Sequence, residues 1–240
     1  MLRRLRDLVA LLALFGLGAL ITSCGNDHAK VRFVQGSPDA LNVDIAVDGK
    51  TVATDVPFGS VSPATDYLTV TAGNRRVEVR DAGTTTDRIN AIVGLASQRS
   101  YTLLAVGKVN PAPSDPPADA IAALLKTDDN SAPPSGNIKL RVIHAAVDGP
   151  SGIDLFVVAP GTDITNLSPT IAALPFQQAS DYLNLTAGTY EVIMTDSNDP
   201  NHATRFFDQT YTLAAGQNRT LVTLDAGGGF MSALELSDLN

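Results

Sequence analysis

Along most of the chain, apolar residues alternate with polar ones instead of recurring at helical spacing. Val43, Ile45 and Val47 alternate with Asp44 and Ala46, the period-two pattern of a strand with one buried face. Asp48-Gly49 then leads into Thr51–Thr54, a strong hairpin signal because both residue types accept positive φ. Thr71-Ala72-Gly73-Asn74 joins a strand over Tyr67–Val70 to one over Arg75–Arg80, and Val77 and Val79 are expected to face inward. Arg99–Val106 and Arg219–Leu224 read as further strands, whereas Ala118–Lys126 fits neither period cleanly.

The pattern occurs twice. Val31-Arg32-Phe33-Val34 matches Leu140-Arg141-Val142-Ile143, and Val43–Val47 matches Ile153–Val157. Pro57-Phe58 matches Pro175-Phe176, Asp66-Tyr67-Leu68 matches Asp181-Tyr182-Leu183, and Thr71-Ala72-Gly73 matches Thr186-Ala187-Gly188. The order never changes while the spacing drifts, so insertions fall in loops. Val192 and Met194 should face inward in the second copy as Val77 and Val79 do in the first.

The repeat predicts two domains, 30–129 and 138–240. They are separated by a Pro/Ser/Gly linker over 130–137, which reads NSAPPSGN. A second proline-rich stretch, Asn110–Asp119, aligns with Asp225–Gly229, so it belongs in a loop before the first domain's last strand. Many short strands with frequent turn signals predict an all-β fold: two tandem antiparallel β-sandwich domains after an N-terminal signal helix. A closed barrel is the alternative.

The first segment reads as an address. MLRRLRD is basic, and Leu8–Leu20 is uncharged and apolar. The uncharged run is shorter than the roughly 20 residues of a spanning helix and fits a signal peptide. Its closing Ile21-Thr22-Ser23-Cys24 resembles a bacterial lipobox. That resemblance implies a lipoprotein signal peptide over 1–23, acylation of Cys24, and a lipidated tether over 24–29. It also implies a membrane partner through the N-terminal lipid and a place in the cell envelope, periplasmic or surface-facing. Gly25 after the cysteine points to the outer membrane if the source is Gram-negative.

Composition narrows the rest. The 240 residues carry a net charge of −8, against the basic face that nucleic acid requires, so no nucleic-acid partner is expected. One cysteine excludes an intrachain disulfide and a multi-cysteine metal site. Tryptophan is absent, which weakens a sugar-stacking platform.

VRFVQGSPDALNVDIAVDG over 31–49, then Pro57-Phe58-Gly59, then DYLTVTAG over 66–73, resemble the DUF4397 family of secreted and lipid-anchored bacterial domains. The first copy departs at Gln35 and Gly36. The second keeps His144-Ala145 but has Ala146-Val147-Asp148-Gly149 next. The resemblance implies immunoglobulin-like sandwiches and carries no catalytic residues.

Candidate chemistry is sparse. His28 lies in the tether, and His144 ends a strand where the first copy has Gln35. That exchange preserves hydrogen bonding but not proton transfer, so an anchor for the next loop is expected. His202 closes the polar loop Asp196–His202, the best cation candidate, although the loop fails the EF-hand pattern. The recurring Arg32/Arg141, Asp44/Asp154 and Asp66/Asp181 are expected to serve turns or ion pairs before a shared site. Pro57-Phe58 and Pro175-Phe176 read as a turn followed by a core plug. Gly227–Gly229 lacks the Lys-Ser/Thr of a phosphate loop.

Cys24 is therefore the one site residue assigned, for lipidation; no catalytic, cofactor-binding or metal residue is, and no cofactor is expected. The function expected is a non-catalytic binding or adhesion module with an envelope protein or polysaccharide as partner. A structural or assembly component is the alternative, and a hydrolase stands behind both.

Overall fold

A computed structural model describes residues 27–238; the signal peptide and Cys24 lie outside the described residues. Two copies of one sandwich follow each other. In the first, β1 (His28–Gly36), β4 (Val61–Ser62), β5 (Leu68–Thr71), β8 (Ser100–Val106) and β9 (Ala122–Asp128) form one sheet. The facing sheet has the order β3 (Lys50–Val56), β2 (Val43–Val47), β6 (Gly73–Asp81), β7 (Asp87–Leu95).

The second copy repeats both sheets. One has the order β13 (Leu183–Thr186), β10 (Asn137–His144), β16 (Asn218–Gly227), β17 (Phe230–Ser237). The other has the order β12 (Ile171–Pro175), β11 (Gly152–Val158), β14 (Gly188–Asp196), β15 (Arg205–Leu213). The sheets stay separate, so the fold is a tandem immunoglobulin-like sandwich and not a barrel. Among the described residues no helix is long and apolar enough to cross a membrane.

Local chemistry explains most of these elements. Asp48 and Gly49 both take positive φ, 51° and 81°, and close the β2–β3 hairpin as the Asp-Gly pair predicts. Val77 and Val79 are buried in the first core, and Val192 and Met194 in the second. The ambiguous Ala118–Lys126 stretch divides into a 3-10 turn at Pro117–Asp119 and β9.

Three expectations need correction or trimming. Each domain contains one parallel pairing, β1 with β8 and β10 with β16, so neither inner sheet is purely antiparallel. β1 already includes His28 and buries Ala29, two residues expected in the tether. Phe58 is 37 % exposed and no core plug; the turn that holds it bonds backbone to backbone, Gly59 N–H to the Gln35 carbonyl at 2.8 Å, which leaves the ring outside. Its counterpart Phe176 is half-buried, edge-on to the His144 ring at 5.9 Å.

The two copies are docked through their inner sheets. Ala29, Val31 and Phe33 of β1 enter the first core, whereas Val34 joins a separate cluster with Leu104 and Val106. Ile143, Ala145, Val222, Leu224 and Leu236 of the second copy complete that cluster. Both inner sheets are thus covered on both faces, which is why β8, β10 and β16 are buried almost throughout.

Candidate functional site

The sequence-predicted polar residues separate into a sealed seam and an open loop end. Arg32 and Arg141 occupy equivalent positions on β1 and β10, on the faces turned toward the other copy. Arg32 Nε donates to Thr102 Oγ1 at 2.8 Å within its own domain. Its Nη1 donates to the Ser237 carbonyl at 2.7 Å, and its Nη2 reaches the Asp238 carboxylate, both across the seam. Arg141 mirrors this: Nε to Thr220 Oγ1 at 3.0 Å, Nη1 to the Thr127 carbonyl at 2.8 Å, and Nη2 to Asp128 Oδ1 at 2.5 Å.

Tyr67 and Tyr182 complete the two halves. Tyr67 donates to Asp128 Oδ2 and Tyr182 to Asp238 Oδ2, each at 2.9 Å. Each ring also lies under its own domain's arginine, at 4.9 and 4.6 Å from the guanidinium carbon. Burial, with the nearby carboxylates Asp128 and Asp238, pushes both phenols far above their ordinary pKa. Burial opposes the charge on Arg141, yet Asp128 and its neighbours keep its pKa above the usual value. Two cations meet two carboxylates with their hydrogen bonds satisfied, the condition under which buried charge is tolerated. These groups are consumed by structure, and the recurring arginines serve ion pairs as expected.

The linker is held by the same network. Asn130 Nδ2 donates to the Tyr67 hydroxyl at 3.3 Å and reaches the Asp238 carbonyl. Lys139 Nζ lies 2.6 Å from Asp129 Oδ2.

Of the other recurring aspartates, Asp44, Asp154 and Asp66 serve bulges and turns, while Asp181 is exposed. Asp44 accepts the Asp55 and Gly83 N–H groups, each at 2.9 Å, and Asp154 accepts that of Ala173 at 2.8 Å. Asp66, at φ 65°, accepts the N–H of Tyr67 at 2.8 Å.

His144 is an anchor. Its Nε2 lies 2.8 Å from the Pro150 carbonyl, which can only accept, so that nitrogen carries the proton. Nδ1 then accepts from the Thr223 hydroxyl at 3.1 Å. Burial lowers its pKa, with the Pro150 bond opposing. Gln35 does the same work in the first copy, donating to the Leu41 carbonyl at 3.4 Å.

The Asp196–His202 loop uses its carboxylates internally. Asp196 accepts the Asn198 N–H at 2.8 Å, and Asp199 accepts those of Asn201 and Ala203 at 3.0 and 2.8 Å. Among the described residues no cluster of three or more His, Cys, Asp or Glu could hold a metal ion. His202 turns inward, edge-on to Phe156 at 4.7 Å.

The loop end was not legible as a unit. β1, β8, β10 and β16 all finish there. Asp39 accepts the N–H groups of Val109 and Asn110 at 2.7 and 2.8 Å, fastening the β1–β2 loop to the proline-rich one. Lys108 pairs with Asp115 at 3.1 Å and, across the seam, with Asp148 at 2.6 Å; these bonds, Asp148 first, raise its pKa. Gln177 Nε2 donates across to the Ala118 carbonyl at 2.9 Å. Leu41, Phe58 and Phe230 are exposed at this end. The signal for them was three large apolar residues within turn sequences.

Comparison with known families matches "Domain of unknown function (DUF4397)" over residues 29–156 and 153–240. The chain belongs to the DUF4397 family. Both inner sheets of the tandem, apart from His28, and every residue of the seam network fall within the matched DUF4397 segments. No curated protein matches the chain. Among solved structures, a family 26 carbohydrate-binding module of Eubacterium rectale Amy13K, in complex with maltoheptaose, is similar at 9 % identity and a TM-score of 0.27. The match covers 89 % of this DUF4397 chain and 98 % of that one.

Proposed function

We propose that this DUF4397 tandem is a lipid-anchored cell-envelope protein, acylated at Cys24, that works as a non-catalytic binding or adhesion module. The observation that supports it is polarity along the strands. The described chain starts at the linker end, where β1 begins. The exposed Leu41, Phe58 and Phe230 lie at the opposite end, where Lys108–Asp148 and Gln177–Ala118 join the two copies. A tether at the first end would present the second to a protein or polysaccharide partner.

The test has two parts. Cys24→Ala should release the protein from sedimenting membranes; continued sedimentation through this segment contradicts acylation. Phe58→Ser with Phe230→Ser should reduce retention on whole cells or isolated envelope polymer while the strand content measured by circular dichroism is kept; unchanged retention refutes the loop-end reading. A structural or assembly role is the second reading, favoured by the sealed seam, which makes the two domains a rigid spacer. Recovery of one stoichiometric protein partner from solubilised envelope would select it.

A further inference from the structure

The linker end carries a cationic rim with no role in the seam. Lys30 on β1, Lys50 at the start of β3, Arg76 near the start of β6 and Arg99 before β8 are all exposed. Register places them in two pairs at this end, one on each sheet: the Lys30 N–H donates to the Arg99 carbonyl at 2.9 Å, and the Asp48 N–H, two residues before Lys50, to that of Arg76 at 2.8 Å. Among the described residues Lys30, Lys50 and Arg99 take part in no salt bridge.

The carboxylates at this end are mostly occupied. Asp48 pairs with Arg75 at 3.0 Å, Glu78 with Arg76 at 3.1 Å, and Asp129 with Lys139 at 2.6 Å. Asp163 accepts the N–H and hydroxyl of Thr165, which hold its pKa below the ordinary value and keep it ionised; it and Asp27, beside the tether, are the carboxylates that offset the unpaired Lys30, Lys50 and Arg99 here. Leu167, 40 % exposed, sits at the same end of the second domain. The loop end has the opposite character, with Asp115, Asp119 and Asp148 gathered around Lys108 and with Asp39 and Asp225 bonded to the backbone of the adjoining loops.

We infer that this rim is a docking surface for anionic lipid headgroups and sets the protein upright on its membrane. The inference rests on the anchor at Cys24. Cys24 is four residues before His28, so covalent geometry holds the start of β1 within about 14 Å of the lipid. That bound permits Lys30 and Arg99 to come within the range, about 8 Å at physiological salt, over which a charged surface acts. Each basic side chain held near an anionic surface adds attraction, and the acidic loop end is repelled from it.

The experiment supplies the tether chemically, so that it does not depend on acylation in cells. The chain from Cys24 onward, which contains every described residue, is coupled through its one thiol to a maleimide lipid. Vesicles contain either phosphatidylcholine alone or phosphatidylcholine with phosphatidylglycerol. The protein has no tryptophan, so Leu167→Trp and Leu41→Trp give single reporters for quenching by headgroup spin labels.

The Leu167→Trp reporter should be quenched several-fold more on phosphatidylglycerol vesicles than on phosphatidylcholine vesicles, and the Leu41→Trp reporter on neither. Lys30→Glu, Lys50→Glu and Arg99→Glu together should abolish the difference, as should high salt with the unreversed rim. Equal quenching on both lipids, or a difference that survives high salt, overturns the inference. Failure of the anchor reading appears separately, as sedimentation of Cys24→Ala in cells.

Discussion

Asp128 is the most heavily used side chain in the seam, and its removal is the sharpest test of the docked architecture. Its carboxylate is fully shielded from solvent and receives Arg141 at 2.5 Å, Thr102 at 2.7 Å, Tyr67 at 2.9 Å and Arg32 at 3.3 Å. Asp128→Ala leaves two buried guanidinium groups with one carboxylate and strips two hydroxyls of their acceptor. Removing one partner of a buried pair costs about 3–5 kcal/mol. For a chain of this size each kcal/mol lowers Tm by about 2–4 °C, so the expected fall is roughly 6–20 °C. Calorimetry on the chain from Cys24 onward measures it. In a double-mutant cycle, Asp128→Ala with Arg141→Ala should be well below additive, because the second change removes one of the stranded charges. A loss below about 1 kcal/mol, the range of an exposed pair, would refute the claim that these charges hold a sealed seam.

Other outcomes follow from single positions. Leu224→Ala, in the apolar part of the seam, should cost about 2–5 kcal/mol in urea unfolding, although the residue touches neither sandwich core. His144→Gln should cost less than about 1.5 kcal/mol, because Gln35 fills the same role in the first copy. The His144 pKa is lowered in the folded state from 6.5, so its contribution is fully present above pH 6.5 and lost as pH falls toward the folded value. Unfolding free energy should therefore fall below pH 6.5 by up to about 1.4 kcal/mol per pH unit from this group, and His144→Gln should remove that slope. Gly107 (φ 87°) has no room for a Cβ, which would lie 2.6 Å from the Asp119 carbonyl, whereas Gly83 (φ 72°) has open space. Gly107→Ala should thus destabilise more than the roughly 1–2 kcal/mol of left-handed strain expected for Gly83→Ala.

The strands and the doubled plan were legible because local rules carry them. Alternation placed Val43, Ile45 and Val47 inward, Asp48-Gly49 closed its hairpin, and the His144/Gln35 exchange identified a loop anchor. The docking of the copies was harder to read, since it depends on contacts between residues far apart in sequence. A signal was present: VRFV, LLAV and LRVI are nearly continuous apolar runs, as strands covered on both faces should be, each arginine set within its run. Phe58 failed as a core residue because an aromatic ring in a turn gives no local sign of whether it folds in or out. Cys24 lies outside the described residues and rests on its sequence context alone.

The crossed arginines have a consequence for inheritance. Two separate copies of one such domain could make both reciprocal contacts as a closed twofold dimer; fusion into one polypeptide lets each copy drift, but only in concert. A change at Asp128 must be answered at Arg141 in the other copy and not only by its domain-mate Arg32. Covariation among relatives should accordingly link the duplicated halves, Asp128 with Arg141 and Asp238 with Arg32, as well as positions within each half.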